Sequence, residues 1–209
     1  MLKLENQNIR LFHGTSQKHL NSILKKGLMP RGKKPSNWEE YPSANDRVYL
    51  TRSYAIFFAI QSAHLTDTDP VIIEVNPLQN KKLVADEDFL AQSEWKDKDL
   101  SFLKDYDNKA KTDWWLKSAP LFPNMAGHSL EGIGNCCHMG KIDKKEITGH
   151  MTFKLDNEIA MSHDPSITIM NFRILGQGYI DSLQKFYDSK GTEGKMWEEY
   201  EMLREMNNA

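Results

Sequence analysis

Short apolar runs separated by polar breakers set the first third of the chain. Asn8 to Phe12 is a strand candidate, ended by Gly14. Leu20, Ile23 and Leu24 recur at helical spacing and predict a helix over Gln17 to Lys26, with Ser16 placed to cap it. Gly27 falls where a C-terminal cap is wanted, and Pro30 follows as a stop. From Met29 to Asp46 the aliphatics give way to Pro, Gly, Ser, Asn and Lys, which predicts a long loop. Arg47 to Thr51 is the next strand. A helix then follows, capped by Thr51 or Ser53, through Ala55, Phe57, Phe58, Ala59 and Ala63. Val71 to Val75, apolar except for Glu74 and bounded by Pro70 and Pro77, predicts a buried strand.

The remainder is less regular. Asp86 to Trp115 is charged and aromatic, with spacings of three and four that predict two helices broken near Lys96 to Asp99. Pro120 to Gly134 has the composition of a loop. Cys136 to Ile142 and Ile147 to Phe153 are two strand candidates with Asp143 to Lys145 turning between them. Ile167 to Ile174 is a further strand candidate, and Asp181 to Glu205 predicts helices interrupted at Gly191 to Gly194. Strands and helices are interspersed without regular alternation, which favours an α+β class over a doubly wound sheet. The expected division is a main domain over 1–175 and a helical extension over 176–209 packed on it.

Composition narrows the function classes. With 39% hydrophobic and 27% charged residues, a core can be buried without staples. The 27 Lys and Arg nearly balance 29 Asp and Glu, which argues against a protein built mainly to coat nucleic acid. No apolar run approaches the roughly 18 residues of a membrane helix, and Met1 to Arg10 lacks a signal-peptide core. The only cysteines, Cys136 and Cys137, are adjacent and offer no disulfide framework. A soluble, cytoplasmic protein with no membrane partner is expected.

The motif for a dinucleotide fold, the P-loop, the serine-hydrolase elbow and the paired-histidine zinc motif are all absent. His128, Cys136, Cys137, His138 and His150 lack metal-ligand spacing, and no metal is expected. The remaining candidate is His13-Gly14-Thr15 with Tyr49, on two strands expected to neighbour each other and line one cleft. An imidazole at a strand end can exchange a hydrogen bond with a ligand hydroxyl. A bare glycine lets a flat ring approach the backbone, and a tyrosine offers a ring face. The competing reading makes His13 a satisfied strand-end histidine, Gly14 a turn and Tyr49 core.

The order of pieces resembles the ADP-ribosyltransferase superfamily, in the His-Tyr-Glu branch that includes diphtheria toxin and the poly(ADP-ribose) polymerases. The pieces are Leu11-Phe12-His13-Gly14-Thr15-Ser16, a helix ending Ile23 to Leu28, a long loop, Val48-Tyr49-Leu50-Thr51, a helix containing Phe57-Phe58-Ala59, then Val71 to Val75, Gly140-Lys141-Ile142 and Glu146-Ile147. The resemblance runs from about Ile9 to Phe153. It implies two small, mostly antiparallel sheets around a central cleft with flanking helices, and NAD as co-substrate. By the same resemblance, His13 looks like the residue that bonds the adenosine ribose and Gly14 the one whose backbone grips the nicotinamide amide. Thr15 would support that strand end, Tyr49 line the nicotinamide pocket, Phe57 or Phe58 stack on it, and Ser53 meet the amide. The chain departs from the family at the third motif, where about Cys137 stands in place of glutamate. Glu131 is the carboxylate expected to reach in and complete a catalytic set with His13 and Tyr49. Glu146 is a second candidate, and His138 a polar alternative for a ribose hydroxyl.

The implied activity is ADP-ribosyl transfer to a protein or nucleic-acid acceptor with release of nicotinamide. The alternatives are an NAD-dependent RNA 2'-phosphotransferase, whose family shares the His-Gly-Thr start, and a catalytically silent NAD-binding or partner-binding module of the same fold. The phosphotransferases also need several phosphate-gripping arginines, and this chain has only six.

Overall fold

In a computed structural model, residues 11–34, 43–52, 55–77, 82–92 and 98–152 are described. The Ile167 to Ile174 strand and the C-terminal helices expected from the sequence lie outside them, as does Ser53. Six strands form one sheet: β1 (Leu11–Ser16), β2 (Arg47–Thr51), β3 (Pro70–Val75), β4 (Leu83–Ala85), β5 (Asn135–Met139) and β6 (Ile147–Thr152). Their order is β4-β5-β2-β1-β3-β6, and every neighbouring pair is antiparallel. Among the described residues five α-helices accompany it: α1 (Gln17–Lys26), α2 (Ala55–Thr66), α3 (Glu87–Gln92), α4 (Asn108–Ser118) and α5 (Met125–Gly132).

Alternation along the strands divides the core into two faces. On one face Leu11, Val48, Leu50, Val71, Ile73, Val75, Leu83 and Cys136 meet Leu20 and Ile23 of α1 and Ala126 and Leu130 of α5. On the other, α2 packs on β1 and β3 and buries Ala55, Ala59, Ile60 and Ala63. Beyond β4, α3 and α4 gather a third cluster around the fully buried Trp115. No helix among the described residues is long and apolar enough to cross a membrane.

Four expectations are corrected. Among the described residues there is one sheet, not two, because β1 pairs with β3 along six positions and also with β2 at Phe12↔Thr51. β1 runs on through Gly14 to Ser16, since β3 supplies it with a partner to the end. Pro120 to Gly134 is largely helical, with a 3-10 turn at Ala119–Leu121 and then α5. β5 and β6 do not form a hairpin: β5 lies between β4 and β2, whereas β6 pairs with β3 at the far edge. The Asp143 to Glu146 turn between them is a capping box, with Asp143 N–H donating to Glu146 Oε2 at 2.8 Å.

Helix α1 has the expected span, and Gly27 ends it at φ 84° with its N–H on the Ile23 carbonyl at 2.7 Å. Ser16 stands at the cap position without a side-chain cap bond. The working cap is on α4, where Asp107 Oδ1 accepts from Ala110 N–H at 2.7 Å. Asp107→Ala is expected to cost about 1 kcal/mol in urea unfolding.

Candidate functional site

The sheet has a seam. β2 pairs with β5 at all five of its positions, but among the described residues its pairing with β1 is the single Phe12↔Thr51 step. Past Phe12 the side of β1 facing β2 is released from the ladder, although both strands continue. Carried two residues further, the same register sets Gly14 opposite Tyr49.

His13 spans the seam. Its Nδ1 lies 2.9 Å from the Tyr49 carbonyl oxygen. A carbonyl only accepts, so Nδ1 carries the hydrogen. Burial pushes the His13 pKa below the usual imidazole range, against the raising effect of that hydrogen bond. The ring is therefore neutral at pH 7, and its Nε2 is an acceptor suited to a ligand hydroxyl.

Gly14 is covered on one side by α2. A Cβ there would stand 2.4 Å from the Ala55 carbonyl oxygen, 2.4 Å from Ala59 N and 2.7 Å from Phe58 Cβ. Phe58 is thereby fixed beside Gly14. Like His13, Gly14 and Tyr49, it is only half-buried. Phe57 is buried and backs it, the two rings 5.3 Å apart and 66° to one another. Thr15 is buried within β1.

Tyr49 is held at its hydroxyl, which donates to Glu87 Oε1 and accepts from Ala44 N–H at 2.7 Å. Burial, and then the neighbouring Cys137 and Glu87, push its pKa up, so it stays a phenol. Tyr49 pairs with Cys137, and Cys137 with Val84, so the three share a cross-strand row. Glu87 opens α3 just after β4 and comes back to that row. Its Oε2 is 3.9 Å from Arg47 Nη1, and Cys137 Sγ is 4.0 Å away. Arg47 is itself buried, its Nε on Asp46 Oδ1 at 2.9 Å and its Nη2 on the Leu116 carbonyl at 2.7 Å. Burial pushes the Cys137 thiol well above its ordinary range, with Glu87 and Asp86 adding to the shift, so Cys137 carries no negative charge.

At the seam the structure sets His13 against the Tyr49 backbone and Phe58 against Gly14, the His13 side chain taking the face of Leu11 and Ile73 and the Tyr49 ring the other. It does not bring the other two there. His138 sits on β5, with β2 between it and the seam, in a row with Val48 and Leu83 on the face opposite the Tyr49 ring that His13 also takes, with Nδ1 3.3 Å from the Gly140 carbonyl. Glu131 lies on α5, whose Ala126 and Leu130 pack into that same opposite face. The carboxylate that does meet Tyr49, Glu87, was not among the expected residues, and neither was Arg47. The only local hint is the acidic run Asp86-Glu87-Asp88 closing the apolar triplet Leu83-Val84-Ala85. No protein-family model matches the chain, and a search of curated proteins finds no relative.

Proposed function

We propose that this protein is an NAD-dependent ADP-ribosyltransferase acting on a protein or nucleic-acid acceptor. The observation that carries the reading is the parting of β1 from β2 at His13-Gly14 and Tyr49, with Phe58 alongside. A flat aromatic amide suits released strand backbone with a tyrosine and a phenylalanine near it. The neutral His13, with Nε2 as acceptor, suits a ribose hydroxyl. In the reaction the glycosidic C–N bond breaks and its electrons return to the nicotinamide ring. The acceptor then bonds the ribose carbon and loses its proton. Positive charge builds on the sugar, and a nearby negative charge lowers that barrier.

The test is incubation with NAD labelled in the adenosine half, with and without cell extract. Nicotinamide release and label transfer are expected, with His13→Ala lowering both by on the order of 10²-fold. Absence of both transfer and hydrolysis, or full activity in His13→Ala, would overturn the assignment.

One observation favours a second reading, binding without turnover. The neutral Cys137 stands about where the family's glutamate is expected. NAD binding by calorimetry without nicotinamide release would select it. The RNA 2'-phosphotransferase reading draws no support from two of the described arginines. Arg31 is engaged by the carbonyls of Ser43 and Lys34, and Arg47 by Asp46 and Leu116.

A further inference from the structure

We infer that Glu87 is the positioning residue of the seam: paired with Arg47 as an ionised carboxylate, it fixes the Tyr49 ring for the ligand. The inference rests on the transferase reading and adds to it a residue that the motif order does not contain.

Glu87 opens α3 and its carboxylate also meets its own backbone N–H, yet that start does not account for where its oxygens point. It is 4% exposed, and burying a carboxylate is costly unless its oxygens are matched. They are matched toward one place. Oε1 takes the Tyr49 hydroxyl proton, and Oε2 faces Arg47 Nη1 and the Cys137 thiol. A glutamine has one acceptor oxygen, which the Arg47 cation would draw away from Tyr49, whereas the hydroxyl alone does not call for an acid. Arg47 does. Among the described residues its Nη1 is buried without a hydrogen-bond partner, and the charge facing it is Glu87. The chain Arg47, Glu87, Tyr49 therefore links a fixed cation to a ring on the seam. The N–H of Ala44 holds the same hydroxyl from the other side. With the acceptor lost, one donor remains, and the half-buried ring is free to turn away from Gly14.

The charged and titratable groups around Glu87 are Tyr49 and Arg47 from β2, Cys137 from β5, and Asp86 and Asp88 beside it in the chain. Burial and like charge push Asp86 well above the usual carboxylate range. Arg47 stays cationic. Burial also raises the Glu87 pKa, against the hydrogen bond from Tyr49 and the attraction of Arg47. The ionised form is thus lost at a higher pH than for an ordinary glutamate, and turnover should fall as pH drops through that point.

The experiment compares wild type, Glu87→Gln, Glu87→Asp and Tyr49→Phe in NAD turnover across pH. It also follows the protein with ¹³C-labelled tyrosine, the Tyr49 signal being identified by its loss in Tyr49→Phe. Glu87→Gln is expected to lower kcat by about 10²-fold, as a ring displaced by an ångström would, with KM changed less. The acid limb should vanish in Glu87→Gln and persist in the less active Glu87→Asp. The Tyr49 signal should titrate in wild type and not in Glu87→Gln, whether or not NAD is present. Turnover untouched by Glu87→Gln, or a Tyr49 signal that titrates identically in both, overturns the role of Glu87 alone. Wild-type protein that ignores NAD while its Tyr49 signal still titrates overturns the transferase reading, and with it any role of Glu87 in turnover.

Discussion

Gly14→Ala is expected to destabilise the protein by about 3 kcal/mol, the upper end for overpacking, and to weaken NAD binding at the same time. The added methyl would meet the Ala55 carbonyl oxygen and Ala59 N, both at 2.4 Å. These are backbone atoms, so no side-chain rotation relieves the clash. Relief requires α2 to move off β1, and α2 is held by the buried Ala55, Phe57, Ala59, Ile60 and Ala63. Phe58 would travel with the helix and leave the seam, which is why stability and binding should fall together. Gly32→Ala is the control. Its φ of 59° strains a side chain, but nothing stands within 4 Å, so a cost of about 1 kcal/mol is expected with binding unchanged. Urea unfolding and calorimetry with NAD check both. A Gly14→Ala protein as stable as wild type would mean that α2 is free to shift.

The half of the fold from β1 to β3 was legible because its signals are local. Leu20 and Ile23 mark the buried face of α1, Gly27 its end, and Pro70 to Val75 a strand buried at every position. The pairing of the His13 and Tyr49 strands was legible for the same reason. What escaped depends on contacts far along the chain. Pro120, Pro123, Gly127, Gly132 and Gly134 read as breakers, yet Ala126 and Leu130, four apart, give α5 one apolar side. The sheet supplies the rest of its stability. Ser129 illustrates the point. Its hydroxyl accepts from Asp86 N–H at 3.1 Å and donates to the Asn135 carbonyl at 2.7 Å, joining the ends of β4 and β5. No spacing rule announces such a bridge.

The same holds for the site. His13, Gly14 and Tyr49 are conspicuous because each is an odd residue within an apolar run. Glu87 is not, because an acidic triplet after a short strand is normally a solvated helix start. Only the arrival of Arg47 and Tyr49 on β2 makes it an interior group. The expectation of two sheets failed for an instructive reason. β4-β5-β2 and β1-β3-β6 are joined at one register pair, Phe12↔Thr51. The parting of β1 from β2 lies within a single sheet, next to the pair that keeps it single.

Arg47→Met should be the most damaging change in the site, costing about 3–5 kcal/mol near neutral pH, as expected when one partner of a buried ion pair is removed. Three partners lose the guanidinium: Asp46 Oδ1 at 2.9 Å, the Leu116 carbonyl at 2.7 Å and Glu87 Oε2 at 3.9 Å. Asp46 is exposed and turns to water. The Leu116 carbonyl loses a strong bond, and Glu87 becomes an uncompensated charge in a dry site. Without Arg47 the folded-state pKa of Glu87, already raised by burial, rises further above its unfolded value. A group shifted in that direction favours folding below its unfolded pKa and loses that contribution as pH rises through the folded one. The cost of Arg47→Met should therefore be larger at pH 8 than at pH 5. Adding Glu87→Gln removes the stranded charge, so the double variant should recover a good part of the loss at pH 8 and little at pH 5. Urea unfolding of the four proteins at both pH values closes the cycle. A double variant no more stable than Arg47→Met would mean that the loss comes from the Leu116 carbonyl and packing against α4. Arg47 would then be a strut between β2 and α4 and not the counter-ion of Glu87.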